Sequence, residues 1–453
     1  MENKKITFKI SLLLLLISSV SFSQNVFSLK ECLDYANKNN QNIKISGYDL
    51  NVAQKKVNEQ KGALLPQVNI NGSLDDNLKL NTQLIPAEMF GGAAGTYQAV
   101  SFGTKYSLSA GIQLNQSIID PTLWVGIETT KANQLLSAQN LQRTREQIAY
   151  TVSLLYYQSL IIQKQIEIMS ATLKVSEESL KSIELQFKNG LAKQIDVDKI
   201  RVSYNNSATQ FEQIKLSYKQ ALNNLKFQMG MAQESEIVLP NELPAFDNNK
   251  YSSLTDKSLT ATNRIEYKIQ ESSLQLSELD KKRNIASTLP TLSFYGNYNY
   301  NAMNQEFKFL NQDQNWYQSS AIGLKLSIRV FSGLQRKSRI EQSAINIERA
   351  KENIKLTEQS IKVDISNYEI QYQNALDNIK NEKENFELAE RVYKNTQLER
   401  KEGISTSYDL IQAESSLREA QNNYFSKLLT LYIARINFEQ SKGTLEKFIN
   451  NQI

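Results

Sequence analysis

In 453 residues there is no histidine and a single cysteine. Imidazole acid–base chemistry, Ser-His-Asp and Cys-His nucleophile systems, Cys/His zinc sites and an intrachain disulfide are thereby excluded. Glycine (16) and proline (6) are too scarce for a collagen-like or Pro/Gly-rich disordered chain. Long apolar runs are missing too. Beyond the N-terminus no segment reaches the roughly 18 uninterrupted apolar residues of a membrane-spanning helix. The net charge of +5 is small, and no Lys/Arg block is dense enough to line a phosphate backbone, so no nucleic-acid partner is expected. No P-loop occurs and no paired carboxylates stand out from helix surface charge, so neither an enzyme nor a cofactor is expected. What remains is 40% hydrophobic and 22% charged with a mean hydropathy of −0.45, the composition of a chain mostly in water.

The first 23 residues read as an export signal. Lys4, Lys5 and Lys9 precede a short apolar core, Ile10 to Val20, and Ser21-Phe22-Ser23 before Gln24 supplies small residues for cleavage. The run is too short to span about 30 Å of hydrocarbon at about 1.5 Å per residue. No cysteine stands at the junction for lipid attachment. Cys32 lies in an amphipathic segment and is expected to be a small buried residue.

The mature chain is duplicated. Leu65-Pro66 with Gly72 recurs as Leu289-Pro290 with Gly296, Gly111-Ile-Gln-Leu recurs as Gly323-Leu-Lys-Leu, and Gly190 with Asp196 recurs as Gly403 with Asp409. The halves span 24–236 and 251–453, joined by a Pro-bearing linker at 237–250. Each follows one plan: helix, strand, loop, strand, very long helix, short turn, helix. In the first half the strands are expected at about 66–78 and 104–118 and the helices at about 122–189 and 195–232. In the second, the strands fall at about 290–301 and 318–331 and the helices at about 334–402 and 407–442. The first long helix carries a seam at Ile148, Val152, Leu155, Ser159, Ile162, Ile166, Met169, Leu173, Ser176, Leu180, Ile183 and Phe187. Its steps alternate four and three, as in a coiled coil.

The strands have a different period. Val68, Ile70, Gly72 and Leu74 alternate with polar residues. So do Tyr106, Leu108, Ala110, Ile112 and Leu114 in the second strand, and Leu292, Phe294, Gly296, Tyr298 and Tyr300 in the third, apart from Tyr295. Ile322, Leu324, Leu326, Ile328 and Val330 alternate with Gly323, Lys325, Ser327 and Arg329. A soluble sheet packed on one face gives this alternation, and so does a membrane barrel. The export signal and the aromatics on the apolar face favour the barrel. Long loops, Asn81–Ser101 and Ala302–Tyr317, join the strands of each pair. Four strands cannot close a barrel, which takes about eight, and open edges in lipid leave unpaired backbone groups. The barrel must therefore be shared between protomers.

With these features in place the sequence resembles the TolC-like outer membrane efflux protein family over essentially the whole mature chain. The carriers are the opening helix Ser28–Asn40, the two Leu-Pro strand starts, the junctions Ile119-Asp120-Pro121 and Phe331-Ser332-Gly333, and the turns Phe187–Asp196 and Arg400–Asp409. The resemblance implies a mainly α fold with a β part. Long antiparallel coiled-coil helices would form a trimeric α-barrel, and four strands per chain would enter a shared transmembrane β-barrel. It implies a homotrimer in outer-membrane lipid reaching into the periplasm, and a passive exit duct for tripartite efflux or type I secretion. A periplasmic adaptor and a proton- or ATP-driven inner-membrane pump would open it at its periplasmic tip.

Gly190 and Gly403 sit where a long helix reverses and are expected as helix C-caps. Leu191 and Ile404 beside them would be exposed, and with the glycines would form the adaptor-docking tip. Asp196 and Asp409 each allow two readings. One is an N-cap of the returning helix, and Thr406 with Asp409 spells a capping box, whereas Lys193 prevents one at Asp196. The other is a gate: the resemblance implies a three-fold Asp409 ring able to hold cations at the pore entrance. One turn on, Gln412 stands where the family often has a second aspartate. Arg400 and Ser405 occupy the positions of the familiar Tyr and Arg lock. Lys325 and Arg329 are expected to line the lumen. Trp124 is either an interfacial anchor or an ordinary packing residue. The competing reading is a periplasmic coiled-coil scaffold without a channel.

Overall fold

The computed structural model describes residues 26–243, 261–311 and 313–450. The export signal at 1–23 and the linker beyond 243 lie outside the described residues. The elements in order are α1 (Leu29–Asn39), α2 (Gln41–Gly62), β1 (Gln67–Asp76), β2 (Asn81–Pro86), β3 (Tyr97–Phe102), β4 (Tyr106–Ile119), α3 (Pro121–Lys188) and α4 (Gln194–Met229). Then follow α5 (Ile265–Ala286), β5 (Thr291–Asn304), β6 (Tyr317–Ser327), α6 (Gln335–Lys401), α7 (Ser407–Ser441) and α8 (Leu445–Asn450). The fold is mainly α with a β part, as the sequence implies.

Two compact units are distinguished, and each draws on both halves of the duplication. One contains residues up to 47, 139–268 and those from 356 onward; the other contains 48–138 and 269–355. The repeat is thus a property of the chain and not of separate bodies.

The first unit is helical. Ser28 starts α1 with a capping box: its hydroxyl accepts from the Glu31 amide at 3.3 Å, and its own amide donates to Glu31 Oε2 at 2.7 Å. The opening segment is two helices and not the single one expected, because Asn40 ends α1 and caps α2. Its Oδ1 accepts from the amides of Asn42 (2.8 Å) and Ile43 (3.2 Å), and its Nδ2 donates to the Gln228 carbonyl (2.7 Å). The core gathers Cys32, Leu33 and Ala36 of α1, Val152, Tyr156 and Leu160 of α3, Leu225 and Met229 of α4, and Tyr432 and Ile436 of α7. Cys32 is fully buried, which pushes its thiol up to about 12 and makes it inert. The first residues of the linker join this core. Ile237 and Leu239 are buried, and the Phe27 amide donates to the Val238 carbonyl at 2.8 Å. Of the seam residues that are not apolar, Ser159 and Ser176 are both buried. The Ser159 hydroxyl donates to the Leu155 carbonyl at 2.8 Å.

The second unit holds the sheets. Four strands pair in the order β1-β4-β5-β6, all antiparallel. The stretch expected as a loop at Asn81–Ser101 contains a second, two-stranded sheet, β2–β3, paired from Asn81↔Phe102 to Pro86↔Tyr97. Its sequence departs from strict alternation, but Thr82, Ile85, Tyr97 and Val100 are strand formers. A 3-10 turn over Ala87–Phe90 with Gly91 at φ 80° reverses the chain. β6 stops at Ser327, short of the expected 331. Ile328, Arg329 and Val330 lie beyond it, and the Arg329 carbonyl accepts from the Arg336 guanidinium.

Candidate functional site

Functional side chains fall in two places: the helical turns of the first unit and the four-stranded sheet of the second.

Both turns end a long helix with the same hydrogen-bond pair. After α3 the Gly190 amide donates to the Phe187 carbonyl (2.9 Å) and the Leu191 amide to Gln186 (2.8 Å). After α6 the Gly403 amide donates to Arg400 (3.2 Å) and the Ile404 amide to Glu399 (2.8 Å). With φ of 73° and 78°, the two glycines adopt the left-handed state that closes a Schellman motif. The apolar residue that follows such a glycine usually packs back on the helix. Met231, in the same position after Gly230, does become buried (8% exposed), whereas Leu191 and Ile404 stand 79% and 75% in solvent.

The returning helices start differently. Thr406 caps α7, and its amide (2.9 Å) and hydroxyl (2.6 Å) both donate to Asp409 Oδ2 while its Oγ1 accepts from the Asp409 amide (3.2 Å). These bonds, the hydroxyl's first, hold the exposed Asp409 carboxyl below the ordinary aspartate range. Only one of its two oxygens is used in the cap. Asp196, half-buried in the first turn of α4, accepts no capping bond, and Lys193 at the cap supplies none. Gln412 is exposed one turn after Asp409. Arg400 braces its own turn, with Nη2 donating to the Ser407 hydroxyl (2.9 Å) and Nη1 reaching the Ser405 carbonyl (3.4 Å). The Ser405 hydroxyl donates back to the Thr396 carbonyl at 3.1 Å.

One residue that the sequence reading missed joins the two returning helices. Glu414 of α7 is 5% exposed and accepts from Ser203 Oγ and Ser207 Oγ of α4, each at 3.0 Å. Its negative charge and burial together push the Tyr393 phenol of α6 up, burial being the larger cause. An acidic residue among apolar seam positions Leu410, Ala413 and Leu417 is the signal that could have found it.

In the sheet, apolar residues of neighbouring strands fall in rows. Val68 pairs Leu114, Leu114 pairs Gly296, and Gly296 pairs Ile322; Ile70, Ile112 and Tyr298 form the next row, which ends on Ser320 of β6. Val68, Ile70, Ile112, Ile322, Leu324 and Leu326 of this face are all exposed. The other face carries Asn69, Gln113 and Asn297 in one row and Asn71, Gly111, Asn299 and Ser319 in another. Lys325 is on this polar face opposite Ser293, whereas Arg329 lies past the strand. Tyr295, the exception to alternation, covers Gly323, where an added Cβ would come within 2.7 Å of its hydroxyl. β1 and β6 end the sheet order, so each leaves one edge unpaired among the described residues. Trp124, at the start of α3, is 50% exposed. No helix among the described residues is long and apolar enough to cross a membrane. No metal-binding cluster occurs among the described residues.

An open sheet with exposed apolar residues on one face and polar residues on the other, in a chain that also has long helices, is what a barrel-forming outer-membrane component is expected to carry. Comparison with known proteins agrees. The profile of the outer membrane efflux protein family matches residues 32–231 and 267–444, and the chain belongs to that family. It is 20% identical over 441 residues to outer membrane protein TolC of Vibrio cholerae, covering 95% of this chain and 93% of the relative. It is 18% identical to the proteases secretion protein PrtF of Dickeya chrysanthemi, covering 76% of this chain and 72% of the relative. Its fold matches the Campylobacter jejuni CmeC outer membrane channel with a TM-score of 0.70 at 14% identity, covering 96% and 94% of the two chains. The chain is an outer-membrane exit duct of the efflux and secretion type, which displaces the scaffold alternative.

Proposed function

We propose that three copies of this chain close their sheets edge to edge into one twelve-stranded barrel, and that their helices line a periplasmic tube gated at the α3–α4 and α6–α7 turns. The observation that carries this reading is the open sheet. Much of its apolar face is exposed, and two free edges in lipid would cost several kcal/mol per unpaired backbone group unless a neighbour pairs them. β6 and the β1 of a neighbour run antiparallel, so the pattern continues without a break. Further support comes from apolar residues exposed at seven-residue steps, Leu356, Val363 and Ile370 on α6 and Ile195 and Val202 on α4. Seven-residue steps of exposed apolar residues are what a seam awaiting a partner helix shows.

In this reading Leu191 and Ile404, lifted by Gly190 and Gly403, are the docking points for a periplasmic adaptor. That adaptor links the duct to an inner-membrane pump, proton- or ATP-driven, which supplies the energy. Asp409 does two jobs: one oxygen caps α7 and the other joins a three-fold cation ring, with Asp196 and Gln412 nearby at the gate. Glu414 locks α4 to α7 behind them. Lys325 lines the lumen as a solvated charge. The duct moves its cargo without chemistry of its own.

Native mass spectrometry of the detergent-purified chain with planar-bilayer recording tests this. A trimer that conducts in discrete steps is expected; a monomer without conductance sinks the proposal.

A further inference from the structure

The two connections at the far end of the strands carry apolar surface that the chain itself leaves bare. The β2–β3 hairpin leaves edge strand β1 and is hydrogen-bonded to no other strand. A lone two-stranded hairpin is marginally stable in water, yet this one exposes Leu84, Met89, Phe90 and Tyr97. Its Glu88 is exposed and accepts from the Gly95 amide at 2.9 Å within the hairpin. The 305–316 connection enters the other edge strand, β6. Phe307 packs edge-on against Tyr106 at 5.8 Å and Phe309 is buried, which leaves Leu310 95% exposed and Trp316 exposed beside it.

Strand order decides what these surfaces meet. When β6 of one copy pairs with β1 of the next, the 305–316 connection of the first is placed beside the 77–105 connection of the second. We propose that the β2–β3 hairpin of each copy covers the 305–316 loop of its neighbour, a second copy of this chain, and so staples the mouth of the barrel in a three-fold ring. This rests on the shared-barrel reading. Lys79 at the base of the hairpin and Asp313 in the loop carry opposite signs. The contact continues the seam between edge strands beyond the end of their hydrogen bonds. It also gives the hairpin the third layer that a two-stranded sheet needs.

The test uses the full chain with Cys32→Ala, which removes the native thiol, and carries Met89→Cys with Leu310→Cys. A short bismaleimide should convert most of the double variant into covalent dimers and trimers on denaturing gels, and each single variant into few. Native mass spectrometry of the same sample reports assembly independently. A trimer that does not cross-link, or that cross-links only within one chain, overturns the staple while leaving the barrel intact. A monomer overturns both. If a fluorophore at Met89 is instead quenched by spin-labelled lipid, the hairpin lies on lipid and the proposal is wrong. A separate Leu84→Asn, Met89→Asn, Phe90→Ser variant should lower the temperature at which the trimer dissociates in detergent, and an unchanged temperature counts against the staple.

Discussion

At the scale of single residues, the start of α7 and its contact with α4 are held by hydrogen bonds to carboxylates. Glu414 is buried, and each serine hydroxyl donated to it is a bond to a charged group, typically about 1.5–3 kcal/mol. The Ser203→Ala, Ser207→Ala double variant is expected to lower the melting temperature and to raise the resting conductance of the duct, while Glu414→Gln does less of both. Unchanged melting and conductance would show that Glu414 does not tie α4 to α7. Asp409 responds to pH with a defined sign. Its folded value is depressed by Thr406, so the cap contributes its full stability above the unfolded value near 3.8 and loses it as pH falls through the folded value. Hydrogen exchange of the first turn of α7 should stay protected from pH 7 down to the ordinary aspartate range and open below it. In Thr406→Val that pH dependence should shrink, the Thr406 amide bond to Asp409 remaining.

At the scale of elements, a glycine ends each long helix, and at both turns the apolar residue after it stays exposed. An added Cβ at Gly190 or Gly403 would meet nothing within 4 Å, so the cost of alanine there is that of the left-handed backbone alone, roughly 1–2 kcal/mol. Circular-dichroism melts of Gly190→Ala and Gly403→Ala should fall by that amount, and a much larger loss would mean that the turns are packed. The C-caps were legible from the Gly–Asp spacing, and so was the capping box at Thr406. The opening helix was placed over Ser28–Asn40, but the second helix that Asn40 caps was not legible, because an asparagine that ends one helix looks the same whether or not it caps another. Its role is set by the Gln228 carbonyl, 188 residues away. The β2–β3 hairpin was missed for a related reason. Its strands are short and lack alternation, and only their mutual pairing reveals them.

At the scale of the whole molecule, the proposed duct is an assembly of copies, and in that reading its electrostatics are those of rings. A single exposed carboxylate binds multivalent cations weakly. Three Asp409 side chains around one axis would repel each other and share a cation. In reconstituted channels Asp409→Ala should weaken block by trivalent cations by an order of magnitude or more at constant ionic strength. If the block persists, another ring holds the cation and Asp409 serves as a cap only.

Periodicity is local, so the sequence alone determined the element types, the two faces of the sheet, the duplication and the family. A side chain every second residue must alternate faces, and a seam stepping four and three must pack as a coiled coil, whatever lies elsewhere in the chain. Only the tertiary structure decided the strand order β1-β4-β5-β6 with its free edges, the Asn40 bridge, the buried Glu414 clamp and the contrast between buried Met231 and exposed Leu191 and Ile404. Each of these depends on which distant segment is opposite, and spacing along a chain carries no record of that.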